Sequence, residues 1–214
     1  MQQNCFPDVK SAGILNSMKS ILFFLFLAMT VSMQAQQEQE PVYDTSHVYR
    51  SLEAALQNPD RVYKLNLSKK KLKTVPAEVF QFRNLKELDL SKNKIKELPP
   101  QIGDLQNLER LNLSSNKLTS LPGEIGKLQS LVNLGLNRNL IESLPKSIGS
   151  LSSLEVLELW DNELETIPDE IGQLTKLRVL ELRGILFSDE EQTRVKTLLP
   201  DTEVYFSPSC NCKN

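Results

Sequence analysis

The rare side chains of this 214-residue chain limit the chemistry open to it. Cysteine occurs at Cys5, Cys210 and Cys212, histidine only at His47, and tryptophan only at Trp160. Cys210 and Cys212 lie one residue apart in a polar tail, where a bridge would close a strained and therefore labile ring. Pairing with another chain, or a tail with no covalent role, suits that position better than catalysis. His47, Cys5, Cys210 and Cys212 all lie toward the ends of the chain, which leaves its main body too few ligands for a Cys/His zinc site. There is no Ser/His/Asp set, no paired-carboxylate motif and no phosphate-cradling glycine loop. The expectation is a chain with no catalytic residues, no metal and no cofactor.

Charge supplies the next candidates. Lysine plus arginine number 25 against 27 aspartate plus glutamate, a near-balance that argues against a nucleic-acid partner. Lys69, Lys70, Lys71, Lys73, Lys92, Lys94 and Lys117 nevertheless cluster as a basic ridge, read here as a solvated edge. Asn66 with Ser68, and Asn112 with Ser114, match the glycosylation sequon, but a repeated pattern described below accounts for both. Hydrophobic residues at 40% and charged residues at 24% suit a globular protein, while leucine alone supplies 37 positions and all aromatics only 6%. A core drawn so largely from one aliphatic type points to repetition.

Two kinds of element must carry these residues. Residues 18–35 read as a leader: Lys19, an apolar run from Ile21 to Val31, then small and polar residues ending at Ala35. The run is shorter than the ~20 residues that span a bilayer and matches a secretory signal peptide, with cleavage expected near Ala35. The mature chain then has no stable membrane span and is exported to the periplasm, the cell surface or the medium. Residues 1–17 carry no leader pattern and read as a non-native or mis-assigned extension, which leaves Met1 and Met18 as the alternative starts.

The second kind is a repeat of 23 residues, begun at Val62, Leu85, Leu108, Leu131, Leu154 and Leu177 without insertion or deletion. Each unit reads L-x-x-L-x-L-x-x-N-x-L, as in Leu85, Leu88, Leu90, Asn93 and Ile95, and continues Leu98-Pro99, Ile102-Gly103, Leu105. Strand side chains alternate, so the fourth and sixth places share one face of a short strand. One unit cannot enclose its leucines, so neighbours must stack and share a continuous core, with parallel strands ~4.8 Å apart. The asparagine amide both donates and accepts, and can satisfy turn backbone that would otherwise be buried unpaired at roughly 1–3 kcal/mol per group.

The pattern resembles the leucine-rich repeat family, and its L-P-x-x-I-G-x-L half resembles the 23-residue class of Ras-suppressor, plant Ras-group-related and bacterial repeat proteins. The resemblance implies an α/β, right-handed solenoid with a short parallel sheet on the concave face and an irregular or 3-10 convex face. Lys70, and Gly184 with Ile185, stand at the asparagine turn in the first and last repeats, as terminal units allow. Residues 51–57, with Leu52, Ala55 and Leu56 at helical spacing, read as a helical N-terminal cap stopped at Asn58-Pro59. Ser188 and Glu191 fit a capping box that opens a helix ending at Pro200, followed by a strand over residues 203–206. The domain reading is an extension at 1–17, leader at 18–35, linker at 36–49, capped repeats at 50–206 and a tail at 207–214.

Function must come from the surface the repeat leaves free. The third, fifth, seventh and eighth places face the concave side or its rim, and late in the array they depart from the pattern. Trp160 stands where Ser68, Ser91, Ser114 and Asn137 stand before it, and Val156 and Val179 replace polar third-place residues. Ringed by Glu158, Asp161, Glu181, Arg183 and Arg138, they read as a recognition patch for a protein partner. Six strands at ~4.8 Å, each exposing about five residues at ~3.3 Å, offer roughly 500 Å², below the about 800 Å² per partner of a stable complex, so either the rims join in, or binding is weak, or several copies act together. So shallow an array offers no enclosed pocket for a small-molecule substrate. Two alternatives stand beside protein binding: recognition of cell-surface polysaccharide, and a cytoplasmic signalling scaffold if the leader is unused.

Overall fold

The computed structural model describes residues 44–207. The leader, the 1–17 extension, Cys5, Cys210 and Cys212 lie outside the described residues. Eight parallel strands form one sheet in strict chain order: β1 Val48–Tyr49, β2 Lys64–Asn66, β3 Glu87–Asp89, β4 Arg110–Asn112, β5 Asn133–Gly135, β6 Val156–Glu158, β7 Val179–Leu182 and β8 Glu203–Phe206. From β2 to β7 the register pairs residues one repeat apart, Lys64 with Glu87, Glu87 with Arg110, and so on to Val156 with Val179.

The strands are short because each repeat turns sharply after its sixth place. The eighth-place residues Lys69, Lys92, Ser115, Arg138 and Asp161 are left-handed, with φ between 56° and 62°, and the last repeat uses Gly184 at φ 78°. The asparagine follows immediately. Asn116 Oδ1 accepts the Ile95 amide at 3.1 Å, while its Nδ2 donates to the carbonyls of Leu90 and Leu113. Asn93, Asn139 and Asn162 repeat this arrangement, so each amide ties a turn to the repeat before it.

On the far side, each proline opens a 3-10 turn: Pro100–Asp104, Gly123–Lys127, Lys146–Ser150 and Asp169–Gln173 follow Pro99, Pro122, Pro145 and Pro168. The proline carbonyl accepts from the isoleucine three residues on, as Pro122 does from Ile125 at 3.1 Å. Glycine beside that isoleucine is a packing requirement. A Cβ on Gly126 would lie 2.6 Å from the Ser147 carbonyl oxygen, and one on Gly149 2.3 Å from that of Glu170. Leucines of the first, fourth and sixth places and isoleucines of the turns fill the space between sheet and turns as one continuous core.

The ends follow the sequence reading with three differences. Val48 and Tyr49, placed in the 36–49 linker, pair with β2 and extend the sheet. The N-terminal helix α1, Leu52–Leu56, buries only Ala55 fully and leaves Leu56 exposed. At the other end, helix α2, Asp189–Leu198, starts at Ser188, whose Oγ accepts the Glu191 amide at 3.1 Å. The reciprocal half of the capping box does not form, because the Glu191 carboxylate turns to the repeat before the last instead. There it accepts from Thr166 Oγ1 and the Ile167 amide, and Arg194 grips it bidentately at 2.7 and 2.8 Å. Among the described residues no helix is long and apolar enough to cross a membrane.

Candidate functional site

Strand alternation sets two rows of side chains on the open face of the sheet. The third-place row runs Val48, Lys64, Glu87, Arg110, Asn133, Val156, Val179, Glu203, and the fifth-place row runs Asn66, Asp89, Asn112, Gly135, Glu158, Glu181, Tyr205. The first half of this face satisfies itself. Glu87 takes Lys64 at 2.9 Å and Arg110 at 2.6 Å. Burial opposes its charge, but the two cationic hydrogen bonds outweigh that and hold its carboxyl below the usual range. Asn66 donates to Asp89 at 3.1 Å, and Asp89 caps the Ser91 amide as Asn112 caps that of Ser114.

At mid-array the fifth-place row is interrupted by Gly135. A Cβ there would meet Ser114 Oγ, Asn112 Oδ1 and Glu158 Oε2 at 3.2–3.3 Å. These side chains close over the glycine, and an open hollow of about 360 Å³ extends from here back to Lys64 and Val48.

The second half is built differently, and here the eight residues singled out in the sequence come together. Arg138 lays its guanidinium 4.5 Å from the centroid of the Trp160 ring and approaches Asp161 at 3.9 Å. Val156 and Val179 are register neighbours, as are Glu158 and Glu181. Arg183 is held bidentately by Glu181, which raises its already high pKa, and stands 5.8 Å from the Tyr205 ring. Trp160, Val156 and Val179 are half-buried rather than fully exposed, and Arg138 covers part of the Trp160 ring. The patch thus combines two valines with aromatic rings against which arginines are set.

Tyr205 belongs to this surface and was not among the residues expected there. It is 44% exposed, and its hydroxyl donates to Glu203 at 2.8 Å, which pushes its pKa up. Its signal was present in the strand at 203–206: with Val204 and Phe206 packed on the core, alternation turns Glu203 and Tyr205 outward. The hollow on the open face of the sheet lies toward the N-terminal end instead, and Glu158 is the residue common to that hollow and the patch.

Comparison with known proteins agrees with this geometry. Residues 60–200 match the family described as "Leucine-rich repeat region". No curated protein matches. Among solved structures, a leucine-rich repeat protein of Leptospira interrogans is 37% identical, with a TM-score of 0.61 over 76% of this chain and 47% of that one. InlP of Listeria monocytogenes is 25% identical, with a TM-score of 0.57 over 69% and 39%. The ectodomain of the Arabidopsis thaliana membrane receptor kinase GASSHO1/SCHENGEN3, solved with CASPARIAN STRIP INTEGRITY FACTOR 2, is 30% identical, with a TM-score of 0.50 over 70% and 22%. The chain spans less than half the length of each of these proteins.

Proposed function

We infer function from a premise the repeats establish, that the chain belongs to the leucine-rich repeat family, and propose an exported module that binds a protein partner through its concave face and rims. The observation that carries the reading is the change of character after β5. Ser and Asn give way to Trp160, backed by Arg138, Val156, Val179 and Tyr205 and edged by Glu158, Asp161, Glu181 and Arg183. Tryptophan and tyrosine combine large contact area with few rotatable bonds, and with arginine they are the residues most enriched among interface hot spots. β1 and β8 add two strands to the six counted from the repeats, about 10 Å more width at strand spacing. Export rests on the leader at 18–35, and the receptor ectodomain among the structural neighbours is consistent with an extracellular setting.

The test is Trp160→Ser, which restores the residue of the preceding repeats. Affinity for a partner recovered by pull-down with the whole chain should fall by at least ~2 kcal/mol, about thirtyfold, with folding intact by circular dichroism. Ser91→Ala, in the same column near the other end, should leave it unchanged. A partner indifferent to Trp160, or a Trp160→Ser chain that unfolds, removes the patch as the site.

A further inference from the structure

A second cationic feature lies off the sheet face, on the edge where each strand passes into its turn. The backbone of this edge stacks from repeat to repeat. The amides of Lys94, Lys117, Leu140 and Glu163 donate to the carbonyls of Leu72, Ile95, Leu118 and Ile141 in the repeat before, at 2.7 to 3.0 Å. Their side chains, with Lys71 at the start, therefore form one column: three lysines, then Leu140, then Glu163. A parallel column two residues on runs Lys73, Lys96, Thr119, Glu142, Glu165. All ten residues are exposed. The edge is thus cationic over the first three repeats and anionic beyond, in a chain whose net charge is −2.

Lys73, Lys94, Lys96 and Lys117, with Thr74 and Glu97, wall an open hollow of about 450 Å³ on this edge. Among the described residues none of these four lysines is in an ion pair, whereas Lys64, Lys86 and Lys146 each meet a glutamate. Like charges held this close repel one another, and an anion laid among them removes the repulsion and releases counterions.

We propose that this edge is a binding site for a linear acidic polysaccharide, a chain bearing carboxylate or sulfate groups at regular intervals. Three features select that ligand class. The lysines recur with the strand spacing of ~4.8 Å, so they present a row of charge that suits an extended polymer carrying its own row. No aromatic ring interleaves the lysines, which leaves nucleic-acid bases nothing to stack on. Glu142, Glu163 and Glu165 continue the same columns, so a flat anionic membrane laid along the edge would meet them too. A narrow chain crossing the first three repeats avoids them. The site is separate from the concave patch, and its occupancy does not depend on a protein partner binding there.

The experiment measures binding of the full chain to polygalacturonate and heparin, with neutral dextran, phosphatidylglycerol vesicles and duplex DNA as comparison probes, over a salt series. The quadruple variant Lys73→Gln, Lys94→Gln, Lys96→Gln, Lys117→Gln should lose about tenfold or more in affinity for both acidic polymers and show a flatter salt dependence. A second quadruple variant, Lys127→Gln, Lys146→Gln, Lys176→Gln, Lys196→Gln, removes the same charge elsewhere and should stay within about twofold of the parent. Trp160→Ser should bind the polymers as the parent does, which separates this site from the concave one. Failure to bind either acidic polymer at physiological salt, equal losses in the two quadruple variants, or tighter binding of vesicles or DNA with the same lysine dependence would each overturn the proposal.

Discussion

A single asparagine per repeat carries much of the local specificity. Asn116 is buried, and its amide serves three backbone groups drawn from two repeats, none of which has water as an alternative. Asn116→Ala should therefore destabilise by about 1–3 kcal/mol in urea titration, while exposed Lys94→Ala should change stability by less than about 0.5 kcal/mol. Equal effects would mean that the inside and outside of the turn are reversed. These asparagines were legible in the sequence because the same residue recurs at one fixed place between regularly spaced leucines, in Asn93, Asn116, Asn139 and Asn162. The left-handed residue just before each was not, since Lys92, Ser115, Arg138 and Asp161 are neither glycine nor asparagine. Nor does the period find Tyr205. It pairs with Glu181 across 24 residues rather than 23, so the column slips by one at the cap.

At the scale of elements, the spacing between turns decides which substitutions the far side tolerates. Gly126→Ala puts a methyl group 2.6 Å from the Ser147 carbonyl oxygen, and the neighbouring turn must shift. Gly172 faces the softer boundary with α2, where the nearest atom to a Cβ is the Leu198 oxygen at 3.3 Å. Thermal unfolding should show Gly126→Ala destabilised by roughly 1–3 kcal/mol and Gly172→Ala by well under half of that. The closing helix has a fastening of its own. Arg194 bonds Glu191 and also reaches Asp169, the Ile167 carbonyl and Thr166. Its hydrogen bonds to the Glu191 carboxyl outweigh partial burial and, with those from the Ile167 amide and Thr166 hydroxyl, push that carboxyl down from the ordinary 4.5 to about 2. A carboxyl with a depressed pKa adds stability that is complete above about pH 4.5 and is lost as the pH falls toward 2. Glu191→Gln should cost about 1.5–3 kcal/mol near neutral pH, and the gap to the parent should close over that acid range. A constant gap down to pH 2 would show that the carboxylate charge is not what holds the cap. Helix α2 and its serine start were legible from Ser188 and Glu191, but the sequence pattern alone pointed Glu191 back at its own helix, because the competing groups, Thr166 and Ile167 of the repeat before the last, are close only in space.

For the whole molecule, the leader and the repeats make separate claims. If residues 18–35 are removed on export, mass spectrometry of secreted or periplasmic protein should find an N-terminus at or near Gln36. A stable cytosolic product that retains 18–35 would reject export and favour an intracellular scaffold. The repeats carry a different consequence. From β3 to β7 every strand pairs with the strand 23 residues before it, with no crossover and no change of spacing. The entropy of closing a loop rises with its length, and here the length never rises, so each repeat docks on its predecessor at the same conformational cost. Folding in such an array spreads outward from any adjacent pair of repeats, and contact order is set by the unit and not by the number of units. Lengthening the middle by whole repeats would widen the binding face without adding a slower closure step, so the size of the recognised partner and the speed of folding can vary independently.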